Sequence, residues 1–175
     1  ITYDVARQVF KKAIIHEASA FIFELARSET IYTNQTQDDI AVCVLAAAIK
    51  EGYKGPIFLQ GDHYQFDAKK YKEYPQGQID EIELAIKDAL NAGFYNIDID
   101  ASTLVDLSLS SKEEQQKENF EMTALITKFI RSMQPRGIKV TIGGEIGHIG
   151  DTNSDVDDFE AFMKGYLDKV GDEVD

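Results

Sequence analysis

One unit recurs along this chain: an amphipathic helix, a closing glycine, a short apolar strand, and acidic or imidazole side chains where the strand gives out. The strands begin near Phe21, Pro56, Asn96 and Ile138, separated by 35, 40 and 42 residues, the length of a strand plus a crossover helix. Strict alternation of strand and helix implies parallel strands and an α/β architecture. The strands end in Glu24, in Asp62 with His63, in Asp98 with Asp100, and in Glu145. An open doubly wound sheet gathers such residues at one switch point, whereas a barrel carries them on the carboxyl ends of many strands at once. The expected fold is therefore α/β, a partial TIM (β/α)8 barrel with about four to five β/α units. A whole barrel takes ~250 residues and this chain has 175. Residues 1–175 are thus expected to be part of a single barrel whose N-terminal strand and C-terminal strands are missing, leaving two open edges that more chain or a partner must cover.

Local signals support each unit. Val5, Val9, Phe10, Ala13 and Ile14 recur at helical spacing, which predicts a helix from Val5 to about His16; His16, at its C-terminal end, reads as structural. Phe21, Phe23 and Leu25 share one face of the first strand, and Glu24 points to the other. Thr36 with Asp39 and Ser111 with Glu114 stand at capping-box spacing and predict two helix starts, the first of these helices ending at Gly52. Segment 67–78 is rich in Lys and Tyr and reads as a loop with a solvated charged face. Ile79 to Leu90 is a third helix, closed by Gly93. The long helix after Ser111 runs to near Pro135, and a last one spans Val156 to about Val170.

Composition narrows the function. Eighteen basic against 31 acidic residues give a net charge of −13, which repels phosphate backbones and makes nucleic acid an unsuitable partner. A small anionic substrate stays possible where a metal, a basic side chain or backbone amides help locally. No apolar run approaches the ~18 residues of a membrane helix, so no membrane role is expected. The single cysteine, Cys43, makes no internal disulfide; it sits in an apolar helix, reads as a small buried hydrophobe, and fits a reducing, cytoplasmic setting.

The stretch GPIFLQGDHYQF, residues 55–66, carries the chemistry most openly. An acid beside an imidazole at a strand end packs poorly, yet Asp62 can move protons and His63 can hold a metal. In FYNIDIDAS, Asp98 and Asp100 share one face and Ile97 and Ile99 the other. Two carboxylates on one face of an apolar strand need a cation, a donor or water.

FLQGDH, then FYNIDIDAS, then EEQQKENFEMTALITKFIRSMQPRGIKVTIGGEIG resemble, in order and separation, the motifs of the class II metal-dependent fructose- and tagatose-bisphosphate aldolases. There a strand ends in His-x-Asp-His, a later one in Ile-Asp-x-Ser and the next in a Glu-Leu-Gly-like motif. The resemblance spans roughly Gly55 to Gly150. It implies that Asp62 is the catalytic acid/base and that His63, Glu145 and Asp100 lie at a Zn2+ site, or that of another divalent metal. Ser102 would then lie at the substrate, and Gln60, which departs from the motif, and Asp98, which shares the inward face of Asp100 outside the motif, are expected there by position. It further implies a homo-oligomer, a dimer or larger, acting on a small sugar phosphate. Gln60 stands where the family's first histidine would be, and this leaves open the non-catalytic subunit of tagatose-bisphosphate aldolase, whose strand also ends in Gly-Asp-His. A sugar-phosphate-binding barrel with another reaction is the third possibility. His148 reads as a loop histidine. No lysine stands at a strand's polar end, which argues against a Schiff-base aldolase.

Overall fold

A computed structural model describes residues 1–147 and 153–174. Helix α1 (Thr2–Ile15) precedes strand β1 (Ile22–Ala26), which leads directly into α2 (Arg27–Thr33) and α3 (Gln37–Glu51). Strand β2 (Phe58–Gln65) is followed by α4 (Ala68–Glu73) and α5 (Pro75–Asn91), and β3 (Asn96–Asp100) by a 3-10 turn at Ser102–Leu104 and α6 (Lys112–Met133). Strand β4 (Thr141–Gly144) and α7 (Val156–Val170) complete the order. The sheet runs β1-β2-β3-β4 with every pair parallel. Spatial order equal to chain order, with no reversal, is the winding of a barrel segment and not of a doubly wound sheet. The partial (β/α) barrel expected from the strand endings is thereby found.

Capping chemistry sets the helix starts. Thr36 accepts from Asp39 N–H at the head of α3, and Ser111 accepts from Glu114 N–H at the head of α6, each pair reciprocated through the N3 carboxylate. Gly52, at φ +73°, closes α3 in the left-handed conformation that costs glycine least. Ser111→Ala is expected to cost about 1 kcal/mol, read as a lower denaturant midpoint at unchanged slope.

The sheet has two chemically different faces. Leu59, Ile97 and Ile99 are buried against the helices, with Ile82, Ile86, Ile126 and Ile130 beneath them. Phe10 of α1 is fully buried and lies 5.7, 5.2 and 4.9 Å from the rings of Phe21, Phe23 and Tyr53, a burial worth about 1.5–3 kcal/mol. The opposite face carries one polar residue per strand in a single register, Glu24, Gln60, Asn96 and Thr141. Above that row, at the carboxyl ends, stand the acids.

Four expectations are corrected. Segment 67–78 is helical and not a loop: Asp67 accepts from the amides of Lys69 and Lys70 to cap α4, and Pro75 opens α5 at its first position, where a missing N–H costs nothing. Strand β1 ends in Ala26, level with Asp62, so Glu24 lies two residues short of the strand end. Strand β2 does not end in Asp62 and His63 but continues to Gln65 through a bulge. Cys43 is half-buried rather than buried.

Candidate metal and substrate site

The bulge in β2 builds the site. Gly61 pairs with Ile97 and Tyr64 with Ile99, so Asp62 and His63 together oppose a single residue of β3. His63 sits at φ +49°, in the left-handed region that costs a non-glycine residue roughly 1–2 kcal/mol. Bulges re-aim side chains in this way. Here the His63 amide is turned onto Asp98, and the ring is turned across the ends of β3 and β4.

The imidazole is ringed by carboxylates. Nδ1 lies 3.3 Å from Asp100 Oδ2 and 3.2 Å from Glu145 Oε1, while Nε2 lies 3.4 Å from Asp62 Oδ2. Asp98, on the shared face with Asp100, feels the charges of Asp62 and Asp100. A single imidazolium cannot balance four carboxylates, and one nitrogen bears at most one proton for two acceptors. His63 Nδ1, Asp100 Oδ2 and Glu145 Oε1 all lie within 4.8 Å of one another. Edges of 3.2–3.3 Å from Nδ1 to the two oxygens match the ~3.3 Å between ligands on a tetrahedral zinc with bonds near 2.0–2.1 Å. One nitrogen and two oxygens are a donor set that zinc and similar divalent ions accept, so the residues fit such a cation. Oδ2 of Asp98 adds a buried acceptor with no hydrogen-bond partner among the described residues.

The supports of these groups are mostly residues that periodicity does not reveal. Asp100, 1% exposed, accepts the amide and hydroxyl of Ser102 on Oδ1 at 3.1 and 2.6 Å, and Gln65 Nε2 on Oδ2 at 2.5 Å. Gln60 Nε2 donates to Asp62 Oδ1 at 3.1 Å. From α6, buried Asn119 and Gln116 donate to the carbonyls of Glu145 and Ile146 at 2.8 Å each and hold the end of β4 against the helix. Gly143 lets the strands close up, since a Cβ there would meet Asp98 Oδ1 at 2.6 Å. Thus six of the seven residues singled out in the sequence, Gln60, Asp62, His63, Asp98, Asp100 and Glu145, converge at one mouth, and Ser102 stands behind Asp100. His148 lies outside the described residues. The sequence does not single out Gln65 or Gln116; a buried amide in a helix or a glutamine past a bulge has no signature in sequence spacing.

Burial, with the nearby charges of Asp100 and Asp98, pushes Glu145 up to about 7. Burial likewise raises Asp98. Partial burial disfavours the charged form of His63, but the Asp100 hydrogen bond and the charges of Asp62 and Glu145 outweigh it and leave the pKa above its ordinary value. A cation requires Glu145 ionised and His63 neutral at Nδ1, so divalent-ion affinity should rise, up to about tenfold per pH unit per proton released, as pH climbs through the Glu145 value of about 7. Calorimetry at stepped pH in buffers of different ionisation enthalpy measures both affinity and proton release. Without a cation the sign reverses: a carboxyl raised in the folded state contributes stability that is full below about pH 4.5 and is lost as pH rises through about 7.

A segment of parallel β/α barrel with a histidine–carboxylate cluster at the carboxyl ends of its strands is the class that fold and site define together. No protein family and no curated protein matches the chain. Among solved structures it is similar to a probable tagatose 6 phosphate kinase from Sinorhizobium meliloti 1021, at 17% identity and a TM-score of 0.66, over 99% of this chain and 43% of that one. The likeness concerns the fold, and the chain spans less than half the length of that protein. Among the described residues no helix is long and apolar enough to cross a membrane.

Proposed function

We propose that this chain supplies the metal-holding part of a class II aldolase-type barrel, acting on a ketose bisphosphate. The reaction is reversible cleavage of fructose- or tagatose-1,6-bisphosphate to dihydroxyacetone phosphate and glyceraldehyde 3-phosphate. One observation carries the reading: a single imidazole nitrogen lies between two carboxylate oxygens at 3.2 and 3.3 Å, on the ends of three consecutive parallel strands. The name of the structural neighbour, a probable tagatose 6 phosphate kinase, supports a sugar-phosphate substrate. The motif order from Gly55 to Gly150 supports the aldolase over other sugar-phosphate chemistry.

His63, Asp100 and Glu145 would hold the divalent cation, zinc first. Bound there, it supplies Lewis-acid polarisation of the ketose carbonyl and charge stabilisation as the carbon–carbon bond opens. Asp62 takes the proton of the C4 hydroxyl in cleavage and returns it to the aldehyde oxygen in synthesis. Gln60 holds one oxygen of Asp62 at 3.1 Å and so leaves the other as the working atom. Ser102 and Gln65 fix Asp100 in rotation, a geometric constraint on which such sites depend. Asp98 stands on the face it shares with Asp100, Ser102 acts through its hold on Asp100, and the working form is a homo-oligomer.

Metal analysis of the full protein, with coupled detection of triose phosphate from both bisphosphates, tests this reading. Cleavage lost on chelation and restored by zinc is expected. One feature favours a second reading: Gln60 donates to Asp62 where an imidazole would bind the ion. A non-catalytic subunit would bind the cation, cleave nothing alone, and raise the activity or stability of a separate aldolase subunit.

A further inference from the structure

The acidic cluster is ill suited to receive a phosphorylated substrate, because its carboxylates repel a phosphate dianion. The wall beside it has the opposite character. A cavity of about 610 Å³ opens next to His63 and Gln65, within the size range of small-molecule sites. Its other walls come from the segments that follow β1, β2 and β3: Arg27 and Ser28, then Lys69 and Lys70, then Thr103.

The balance of charge there is unusual for a chain of net −13. Three cations, Arg27, Lys69 and Lys70, share the wall with two acids, Asp67 and Glu81. Asp67 is engaged by the amides of Lys69 and Lys70, which lower its pKa together with their side-chain charges. Glu81 pairs with Arg27 and stands 3.9 Å from Lys70. The Lys69 ammonium has no ion pair or hydrogen bond among the described residues. The hydroxyl of Thr103 is spent on the Phe66 carbonyl at 2.6 Å, which ties the third segment to the second and stiffens the wall.

We propose that this cavity binds one phosphate of the sugar-phosphate substrate, with Lys69 as the anion ligand and Lys70 and Arg27 as its supporting positive wall. The carbon skeleton then lies toward His63, so the cation-holding cluster and the phosphate cradle grip opposite ends of one molecule. This rests on reading the cluster as the reaction centre. It assigns to Lys69 and Lys70 a role that the sequence alone, which presents them as a solvated face, does not.

Calorimetric titration of the full protein with inorganic phosphate, with and without chelator, tests it directly. Wild type should bind phosphate in both conditions, Lys69→Gln should raise the Kd about 10–100-fold, Lys69→Arg should largely restore it, and Lys50→Gln, remote on α3, should leave it unchanged. Arg27→Gln also breaks the Glu81 pair, so the exposed Lys69 carries the decisive comparison. Equal phosphate affinity in wild type and Lys69→Gln, or no binding by wild type, overturns the proposal. Lys69-dependent phosphate binding without aldol cleavage would uphold the cradle and reject the aldolase; cleavage with a KM and phosphate Kd indifferent to Lys69 would do the reverse.

Discussion

Asp62→Asn is expected to lower turnover of the ketose bisphosphate by about 10²–10⁴-fold, the range of a general acid–base group, while the bound cation stays. The substitution separates two jobs that the geometry gives to one carboxylate. Oδ2 of Asp62 is 3.4 Å from His63 Nε2, so it orients the ring as well as facing the mouth. Asparagine keeps an acceptor for that nitrogen and removes the proton chemistry. If Asp62 only oriented the imidazole, the loss would appear as roughly 10–100-fold weaker metal binding with turnover intact once metal is saturating. Full turnover in metal-saturated Asp62→Asn would remove Asp62 from the reaction.

Asp100→Asn should cost still more at the metal, roughly a thousandfold in affinity, beyond the ~10–100-fold of residues that only support a ligand. Asp100 is the least exposed of the three candidate ligands, and its Oδ1 is saturated by Ser102, so only Oδ2 is left for a cation. Asparagine can retain the Oδ1 contacts and hence the fold, but turns Oδ2 into an amide NH2 that faces the Gln65 Nε2 donor and offers a cation no ligand oxygen. Competition with a fluorescent chelator measures the change. Metal binding as tight as wild type in a folded Asp100→Asn protein would place the cation elsewhere.

Much of this site was legible because its chemistry follows strand periodicity. Asp98 and Asp100 must share a face if Ile97 and Ile99 are to be buried, and the capping boxes at Thr36 and Ser111 are purely local. The bulge was not legible: His63 adopts φ +49° without being glycine, and only the register between β2 and β3 requires it. Short helices α2 and α4 escaped for a related reason, since neither buries a residue of its own that would print an apolar period. Strand β4 begins at Thr141 rather than near Ile138 because the Val140 amide is taken by Gln134 and the Ile138 amide by the Pro135 carbonyl. Glu24 looked like a fourth member of the cluster from its place in the first strand, yet two further residues, Leu25 and Ala26, carry that strand to the level of Asp62.

Diffraction from zinc-grown crystals of the full protein, recorded on both sides of the zinc absorption edge, addresses the cluster most directly. A single anomalous peak in contact with His63 Nδ1, Asp100 Oδ2 and Glu145 Oε1 is the expected result. No peak there, with His63 still ion-paired to its carboxylates and zinc only on remote surface acids, would contradict the metal-holding role on which the proposed chemistry stands.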